Sequence, residues 1–160
     1  MPTVAQFPMT REQVARRLRE RDVAPTEQRL EIARVLFSLG MHVSAEQILA
    51  MVNERAARAS KATVYNTLKL FREKGLVREV IVDPQRVFYD PNVAPHHHFY
   101  DVDTGVLTDF SAAEVSISGL PELPAGVVEE GVEIIIRTRR ANGLLDQAAG
   151  AGHEEHVGQK

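Results

Sequence analysis

The residues of this sequence best suited to chemistry are three consecutive histidines, His96, His97 and His98, which lie between two carboxylates, Asp90 and Asp109. Imidazole and carboxylate groups together coordinate iron, manganese or zinc. Alternate side chains of a β-strand project to opposite faces, so His96 and His98 should share one face and His97 should lie on the other. One strand could therefore contribute to two separate coordination sets.

A fourth histidine, His42, lies far upstream of this run, at the start of a predicted helix. If His42 and Asp90 join His96, His98 and Asp109 on one ion, that ion connects the two halves of the chain. It would then set the angle between them and act as a switch. The alternative interpretation is an exposed polar hairpin that binds no ligand.

The composition limits what kind of site this can be. None of the 160 residues is cysteine, which excludes disulfides, thiolate zinc sites, iron–sulfur clusters and thiol catalysis. The apolar fraction of 44% is ordinary for a globular protein. The chain has no run of about 18 apolar residues and no signal-like N-terminus, so we expect a cytoplasmic protein with no membrane partner.

Charge is distributed unevenly along the chain. Residues 1–82 carry 14 Lys and Arg against 9 Asp and Glu, whereas residues 83–160 carry 5 against 13. The halves therefore have net charges of +5 and −8. This asymmetry favours a polyanion-binding module followed by a cation-binding one. The alternative is two solvated surfaces of unlike charge.

Four helices are predicted in the first half, after a loose leader at residues 1–9. The first should start at Thr10 and the fourth near Ser60, and the second and third should follow the N-terminal caps Thr26 and Ser44. Gly40 and Gly75 should end the second and fourth helices, because glycine readily adopts the left-handed conformation found there.

The fourth predicted helix has one apolar and one polar face. Val64, Leu68 and Phe71 recur at helical spacing and should be buried. The opposite face carries side chains that can reach phosphates or base edges: Lys61, Tyr65, Asn66, Lys69 and Arg72. Two β-rich segments, 76–82 and 86–90, follow as a hairpin. A helix-turn-helix followed by a hairpin predicts a winged-helix DNA-binding domain at residues 1–90.

The second half predicts a smaller domain at residues 91–140, made of a sheet and a short helix. A hairpin is expected from segments 96–102 and 106–110, then a helix capped by Ser111, then a strand over 127–137 whose Val132 and Ile134 to Ile136 fill the sheet core. The fold class is therefore α+β. Residues 141–160 should form a flexible tail, whose two histidines are not expected to bind metal: His153 and His156.

Several short motifs, in a specific order, carry a resemblance to a known family. They are Pro25-Thr26-x-Gln28-Arg29, His42-Val43-Ser44-Ala45-Glu46, Ala62-Thr63-Val64-Tyr65-Asn66-Thr67-Leu68, Gly75-Leu76-Val77 and His96-His97-His98. Over roughly residues 12–138, the chain resembles the ferric uptake regulator family of metal-responsive transcription factors. Within that family it is most similar to the iron response regulator branch, with the peroxide-responsive branch close behind.

The resemblance implies a homodimeric, metal-dependent repressor that binds AT-rich palindromic operators in genes of iron homeostasis or peroxide stress. The second half would then be the metal-sensing and dimerisation domain. Arg29 and Thr63, which lie in the matching motifs, complete the expected DNA-binding set.

The resemblance also implies which residues bind metal. The regulatory ion, Fe(II) or Mn(II) with Zn(II) as a further option, would be held by His42, Asp90, His96, His98 and Asp109. His97 matches a second family site, for which the candidate partners are Glu114 and Glu130. In the iron response regulator branch, the triple-histidine segment would bind haem, which relieves DNA binding. In the peroxide-responsive branch, Fe(II) reacts with peroxide and a ligand histidine is oxidised.

The sequence departs from the family pattern in two places. The first of the Cys-x-x-Cys pairs that bind structural zinc in many relatives is replaced by Asp101 and Thr104, and no second pair exists. No cysteine-ligated structural zinc is expected, and the dimer must be held by packing. Ala24 stands where relatives often have a basic residue that enters the minor groove.

A metal buffer or a metal-dependent hydrolase is the rival interpretation from another class, since His and Asp clusters also build catalytic sites. It leaves the basic helical half without a role. We therefore expect no enzymatic activity.

Overall fold

The computed structural model describes residues 9–55 and 58–141. In chain order the elements are α1 Arg11–Arg19, α2 Glu27–Leu39, α3 Ala45–Glu54, α4 Lys61–Glu73, β1 Arg78–Asp83, β2 Arg86–Asp90, β3 His96–Asp101, β4 Leu107–Ser111, a 3-10 helix Ala112–Glu114 and β5 Ile135–Thr138. The predicted α+β class is confirmed. The expectations about residues 1–8 of the leader and about the tail, with His153 and His156, lie outside the described residues.

The predicted helix starts are confirmed, with one difference at a cap. The side chains of Thr10, Ser44 and Ser60 each accept a hydrogen bond from the backbone N–H three residues later. Thr26 also precedes its helix in extended conformation, but its side chain makes no capping hydrogen bond. Gly40 ends α2 at φ +56, where a side chain would strain the backbone.

The helices and the hairpin share one hydrophobic core. The predicted inward residues of α4, Val64, Leu68 and Phe71, are all fully buried. They belong to one cluster with the apolar faces of the other helices, and Met9, the only described leader residue, packs against that cluster instead of being loose. Burying each such side chain stabilises the fold by roughly 1.5–3 kcal/mol.

The hairpin of β1 and β2, hereafter the wing, is joined to the helices through the loop between α2 and α3. In that loop, Val43 forms an isolated antiparallel bridge with Tyr89 of β2. Its backbone N–H donates to the Tyr89 carbonyl at 3.3 Å, and the Tyr89 N–H donates to the Val43 carbonyl at 2.8 Å. The wing therefore has a fixed register relative to the start of α3.

A three-stranded sheet, ordered β4-β3-β5, follows the wing, with β4 antiparallel and β5 parallel to β3. The turn between β3 and β4 is held by the Asp101 carboxylate, which accepts hydrogen bonds from the backbone N–H groups of Asp103 and Thr104. Ser111 caps the following 3-10 helix as predicted.

The predicted strand over residues 127–137 is wrong for most of its length. Only Ile135–Thr138 forms a strand, because the backbone first meets β3 where the Ile134 carbonyl accepts a hydrogen bond from the His98 N–H. Val132 and Ile136 are each 39% exposed and do not fill a core within this chain, although Ile135 packs against one.

The wing also packs against the three-stranded sheet, a contact that the sequence did not predict. Val80 and Val82 of β1 form a second apolar cluster with Tyr100 and Leu107 of the sheet. Arg86 of the wing donates a hydrogen bond to the Tyr100 hydroxyl. The expected domain boundary between residues 90 and 91 lies between β2 and β3 and stays a prediction. None of the described helices is long and apolar enough to cross a membrane.

Candidate metal centre

Two of the five predicted ligands are brought together by the bridge between Val43 and Tyr89. Residues adjacent to an antiparallel bridge lie opposite one another with their side chains on one face. His42 and Asp90 are such a pair, and the His42 Nε2 lies 3.2 Å from the Asp90 Oδ2. Two of the five residues are thus positioned by a loop and by the last residue of the wing.

The other three ligands are positioned by the register of the β3–β4 hairpin. His98 pairs directly with Asp109 across the two strands, so these side chains share a face. His96, two residues before His98, projects to the same face, and the Nε2 atoms of the two histidines are 3.0 Å apart.

The two groups converge on one point between the wing and the sheet. The His42 Nε2 lies 2.9 Å from the Asp109 Oδ1, and the His96 Nε2 lies 2.7 Å from the Asp90 Oδ2. The His98 Nε2 is 3.4 Å from Asp109 and 3.5 Å from Asp90. One donor atom of each of the five residues lies within 4.8 Å of all the others, and the described residues contain no further such group.

The centre is largely buried, contrary to the alternative of an exposed hairpin. His96, His97 and His98 are 6%, 5% and 0% exposed. The His42 side chain is 8% exposed, whereas that of Asp109 is 39% exposed and borders an open cavity of about 450 Å³. Asp109 is therefore the most exposed of the five residues and lies where this cavity meets the centre.

The carboxylates and imidazoles shift one another's protonation. Burial disfavours the charged imidazolium of His42, but the hydrogen bonds to Asp109 and Asp90 outweigh it and raise the pKa of His42 to about 9. Burial opposes ionisation of Asp90 too, yet hydrogen bonds with His42, His98 and the Asn92 N–H hold its pKa well below the usual value. The pKa of Asp109 is also lowered, by its hydrogen bond to His42 against the effect of burial.

This donor set fits a divalent cation. Ligand bonds of about 2.1 Å to one ion place neighbouring ligand atoms roughly 3 Å apart. The hydrogen-bond and ion-pair contacts between these donor atoms range from 2.7 Å to 3.6 Å, and no two of the five atoms are more than 4.8 Å apart. Three imidazole nitrogens and two carboxylate oxygens suit iron, manganese or zinc. Because the pKa of His42 is raised to about 9, a cation would compete with a proton for this imidazole.

Two charged residues outside the predicted set contact the Nδ1 atoms of His96 and His98. Arg78, the first residue of the wing, lies 3.3 Å from the His96 Nδ1, and Glu133 lies 3.2 Å from the His98 Nδ1. Sequence reasoning missed both, because neither has a motif or a spacing relative to the histidine run that indicates contact.

The three residues of the candidate second site, His97, Glu114 and Glu130, do not converge as the five residues of the first site do. His97 faces away from the other histidines, pairs with Phe110 across the sheet and accepts a hydrogen bond at Nδ1 from the Ile134 N–H. His97 and Glu130 line one cavity of about 440 Å³, but Glu114 is exposed on the 3-10 helix and does not line it. The structure therefore brings two of these three residues to one cavity.

The polar face of α4 is open to solvent as predicted, but two of its side chains contact acidic neighbours. Lys61, Asn66 and Lys69 are exposed. The Tyr65 hydroxyl donates to Glu46 at 2.6 Å, and Arg72 forms a 2.8 Å ion pair with Glu79 of the wing. A bound polyanion would therefore compete with two carboxylates for this face.

The two remaining DNA-binding candidates have local structural partners. Thr63 lies in the first turn of α4, where its hydroxyl is 2.9 Å from that of Ser60. Arg29 is half-buried and donates a hydrogen bond to the Ala24 carbonyl at 3.1 Å. Neither side chain extends freely into solvent.

Comparison with known proteins places the chain in a family. A model of the ferric uptake regulator family matches residues 20–121. The chain is 32% identical over 93 residues to the peroxide-responsive repressor PerR of Staphylococcus epidermidis, covering 58% of this chain and 62% of that protein. It is 30% identical over 99 residues to PerR of Staphylococcus aureus strain USA300, covering 62% and 67%. The match thus spans about two thirds or less of these relatives' length.

Solved structures of similar proteins support the fold. The ferric uptake regulator of Pseudomonas aeruginosa with manganese is similar at a TM-score of 0.61 and 24% identity, over 79% of this chain and 97% of that one. A zinc-bound manganese uptake regulator is similar at a TM-score of 0.59 and 25% identity, over 83% and 100%. The residues that the family model matches include all five converging side chains. By that match, the chain belongs to the ferric uptake regulator family.

Proposed function

We propose that this protein is a metal-dependent, DNA-binding transcriptional regulator that acts as a repressor of iron homeostasis or peroxide-stress genes. The observation that carries the proposal is the convergence of His42, Asp90, His96, His98 and Asp109 at the junction between wing and sheet. His42 and Asp90 come from the helical half and the wing, and the other three from the sheet. A cation held by all five would tie the DNA-binding half to the sheet.

The negative charge of the cluster explains why binding of a cation should affect the orientation of the wing. The ionised carboxylate of Asp90 is buried and that of Asp109 is partly exposed. A divalent cation would neutralise both while binding all five residues. In the metal-free protein, the proton on His42 neutralises only part of that charge. The bound cation would fix the orientation of the wing relative to the sheet. The five residues would hold the cation in place.

The relatives support Mn(II), Fe(II) or Zn(II) as the ion, since structures of similar regulators are described with manganese, zinc and iron. The PerR relatives favour peroxide-stress genes. The metal-buffer and hydrolase interpretations are weaker, because they give no role to the basic face of α4.

Haem regulation through the histidine run is the second candidate. Its support is limited to His97, which is buried beside a cavity and is not part of the five-residue cluster. His96 and His98, by contrast, already point into that cluster. An absorption spectrum of the untagged protein titrated with haem decides between these options, because haem ligation by histidine produces a shifted Soret band.

A homodimer is part of the proposal. The segment between the 3-10 helix and β5 exposes several apolar side chains, which a second copy could cover: Ile117, Leu120, Leu123, Val127, Val128 and Val132. Sedimentation of the purified protein at micromolar concentration should give the mass of two chains.

The direct test is binding to an AT-rich palindromic duplex, measured by fluorescence anisotropy at stated salt with Mn(II), with chelator and with haem. Tight binding with Mn(II) and loss of binding with chelator are the expected results. Absence of binding under all three conditions would refute the regulator function.

Replacement of Tyr65 tests the DNA-binding face. Tyr65→Ala should weaken operator binding roughly 10- to 100-fold, the usual effect of losing one base-edge contact. Mn(II) affinity should not change, because Tyr65 contacts Glu46 and no residue of the metal cluster. Tyr65→Phe keeps the ring and isolates the contribution of the hydroxyl. A loss of Mn(II) affinity with intact operator binding would refute the assignment.

A further inference from the structure

Arg78 belongs to the wing, yet its guanidinium contacts three groups of the other half of the chain. Its Nη1 donates to the Ala94 carbonyl at 3.1 Å and lies 3.3 Å from the His96 Nδ1. Its Nη2 donates to the Glu133 Oε1 at 3.3 Å. The Arg78 and Glu133 side chains are each 28% exposed, so this ion pair is partly accessible to water.

Arg78 and His96 contact the same hydrogen-bond acceptor, the Ala94 carbonyl. The His96 Nδ1 lies 2.7 Å from the Ala94 carbonyl, the same oxygen that accepts from Arg78. Because a carbonyl oxygen can only accept, the 2.7 Å contact requires a proton on the His96 Nδ1. That nitrogen then cannot accept from the guanidinium, and both groups donate to the Ala94 carbonyl. A proton on Nδ1 is the form that His96 needs if its Nε2 binds a cation. Arg78 therefore holds the carbonyl that selects this form.

The contact with His98 depends on Glu133. His98 is fully buried, and its Nδ1 makes no hydrogen bond of normal geometry. The Glu133 Oε1, held by Arg78, is 3.2 Å from that nitrogen. When the His98 Nε2 binds a cation, the Nδ1–H faces a carboxylate that needs only a small adjustment to accept it.

We propose that Arg78 and Glu133 are positioning residues, which orient His96 and His98 for metal binding and couple the occupied centre to the wing. This pair is hereafter the Arg78–Glu133 bridge. This inference rests on the proposed metal-dependent function. Ligand histidines commonly donate their second ring N–H to a carboxylate or a carbonyl, and here one arginine supports both acceptors. Because that arginine begins β1, the residues that orient the ligands also hold the DNA-binding half.

The chemistry of the bridge requires both of its charges. An arginine beside a cation site is repulsive unless a carboxylate neutralises it, and Glu133 does so. The planar guanidinium presents two separate nitrogens, one for the Ala94 carbonyl and one for Glu133. A lysine ammonium is a single point charge and would not hold both acceptors in the same geometry.

The test measures Mn(II) affinity by chelator competition in the full chain for Arg78→Met, Glu133→Ala and the double variant. Each single variant should lose roughly 10- to 100-fold in affinity, as is usual for residues that orient metal ligands. The double variant should lose no more than about twofold beyond the weaker-binding single variant, because the two residues act as one unit. Arg86→Met is the matched control: it removes another wing arginine that contacts the sheet but no ligand histidine.

A second readout separates positioning from general stability. In the Zn(II)-loaded protein, the Nδ1–H protons of His96 and His98 should exchange slowly with solvent. They should give two resolved signals in the proton NMR spectra of wild type and Arg86→Met. One or both should be lost to exchange in the bridge variants. If Arg78→Met does not fold, Arg78→Lys replaces it and should lose about tenfold in Mn(II) affinity.

The outcomes distinguish the two claims. Failure of the wild-type protein to bind Mn(II) would overturn the proposed function and the bridge with it. Wild-type binding with the bridge variants within about twofold of Arg86→Met, or with fully additive losses in the double variant, would overturn the bridge alone.

Discussion

His96→Ala should abolish metal-dependent operator binding and lower Mn(II) affinity by at least about 100-fold, since even residues behind the ligands typically account for 10- to 100-fold. His96 contacts both Asp90 and His98 inside the cluster, so its removal opens the centre of the donor set. Anisotropy of a labelled operator, titrated with Mn(II) at fixed salt, measures the first effect, and chelator competition measures the second.

His97→Ala is the matched comparison, because it removes a buried histidine from the next position of the same strand. Its ring packs against Phe110 on the opposite side of the sheet from the cluster. Mn(II) affinity should stay within about threefold of wild type, and thermal unfolding of both metal-free variants verifies that they fold. If His97→Ala loses Mn(II) as strongly as His96→Ala, the assignment of the two faces is incorrect.

The metal-free protein should lose stability as the pH rises from about 6.5 through 9. The folded-state pKa of His42, raised to about 9, exceeds the unfolded value of 6.5. A raised pKa contributes stability that is fully present below the unfolded value and disappears as the pH passes the folded one. A shift of this size corresponds to on the order of 3 kcal/mol of the free energy of unfolding. Asp90 and Asp109 act oppositely: their lowered pKa values contribute stability above the usual carboxyl range that is lost in acid.

Urea unfolding in chelator at a series of pH values measures this dependence. The unfolding free energy should be highest between roughly pH 4.5 and 6.5 and should fall towards pH 9. His42→Gln removes the titrating group and should flatten the decline on the alkaline side, whereas His97→Ala should retain it. A decline of equal size in His42→Gln would show that another group is responsible.

The local elements were predictable because their signals are local. The capping residue Ser44 and the helix-ending Gly40 mark helix ends through local backbone conformation and contacts within a few residues. The alternation of His96 and His98 against His97 follows from the two-residue period of a strand alone. The prediction failed over residues 127–134, because apolar content there does not show whether a strand partner is within reach.

What the sequence determined by itself was the set of elements and the ligand chemistry: no cysteine, histidines and carboxylates at strand spacing, and ordered family motifs. Only the tertiary structure decided which residues meet. The Val43–Tyr89 bridge brings His42 to Asp90, the β3–β4 register brings Asp109 to His98, and the packing of the wing on the sheet brings both groups, with Arg78, to one point. These contacts join segments far apart in the chain, and their geometry depends on register and packing, which leave no periodic signal in the sequence.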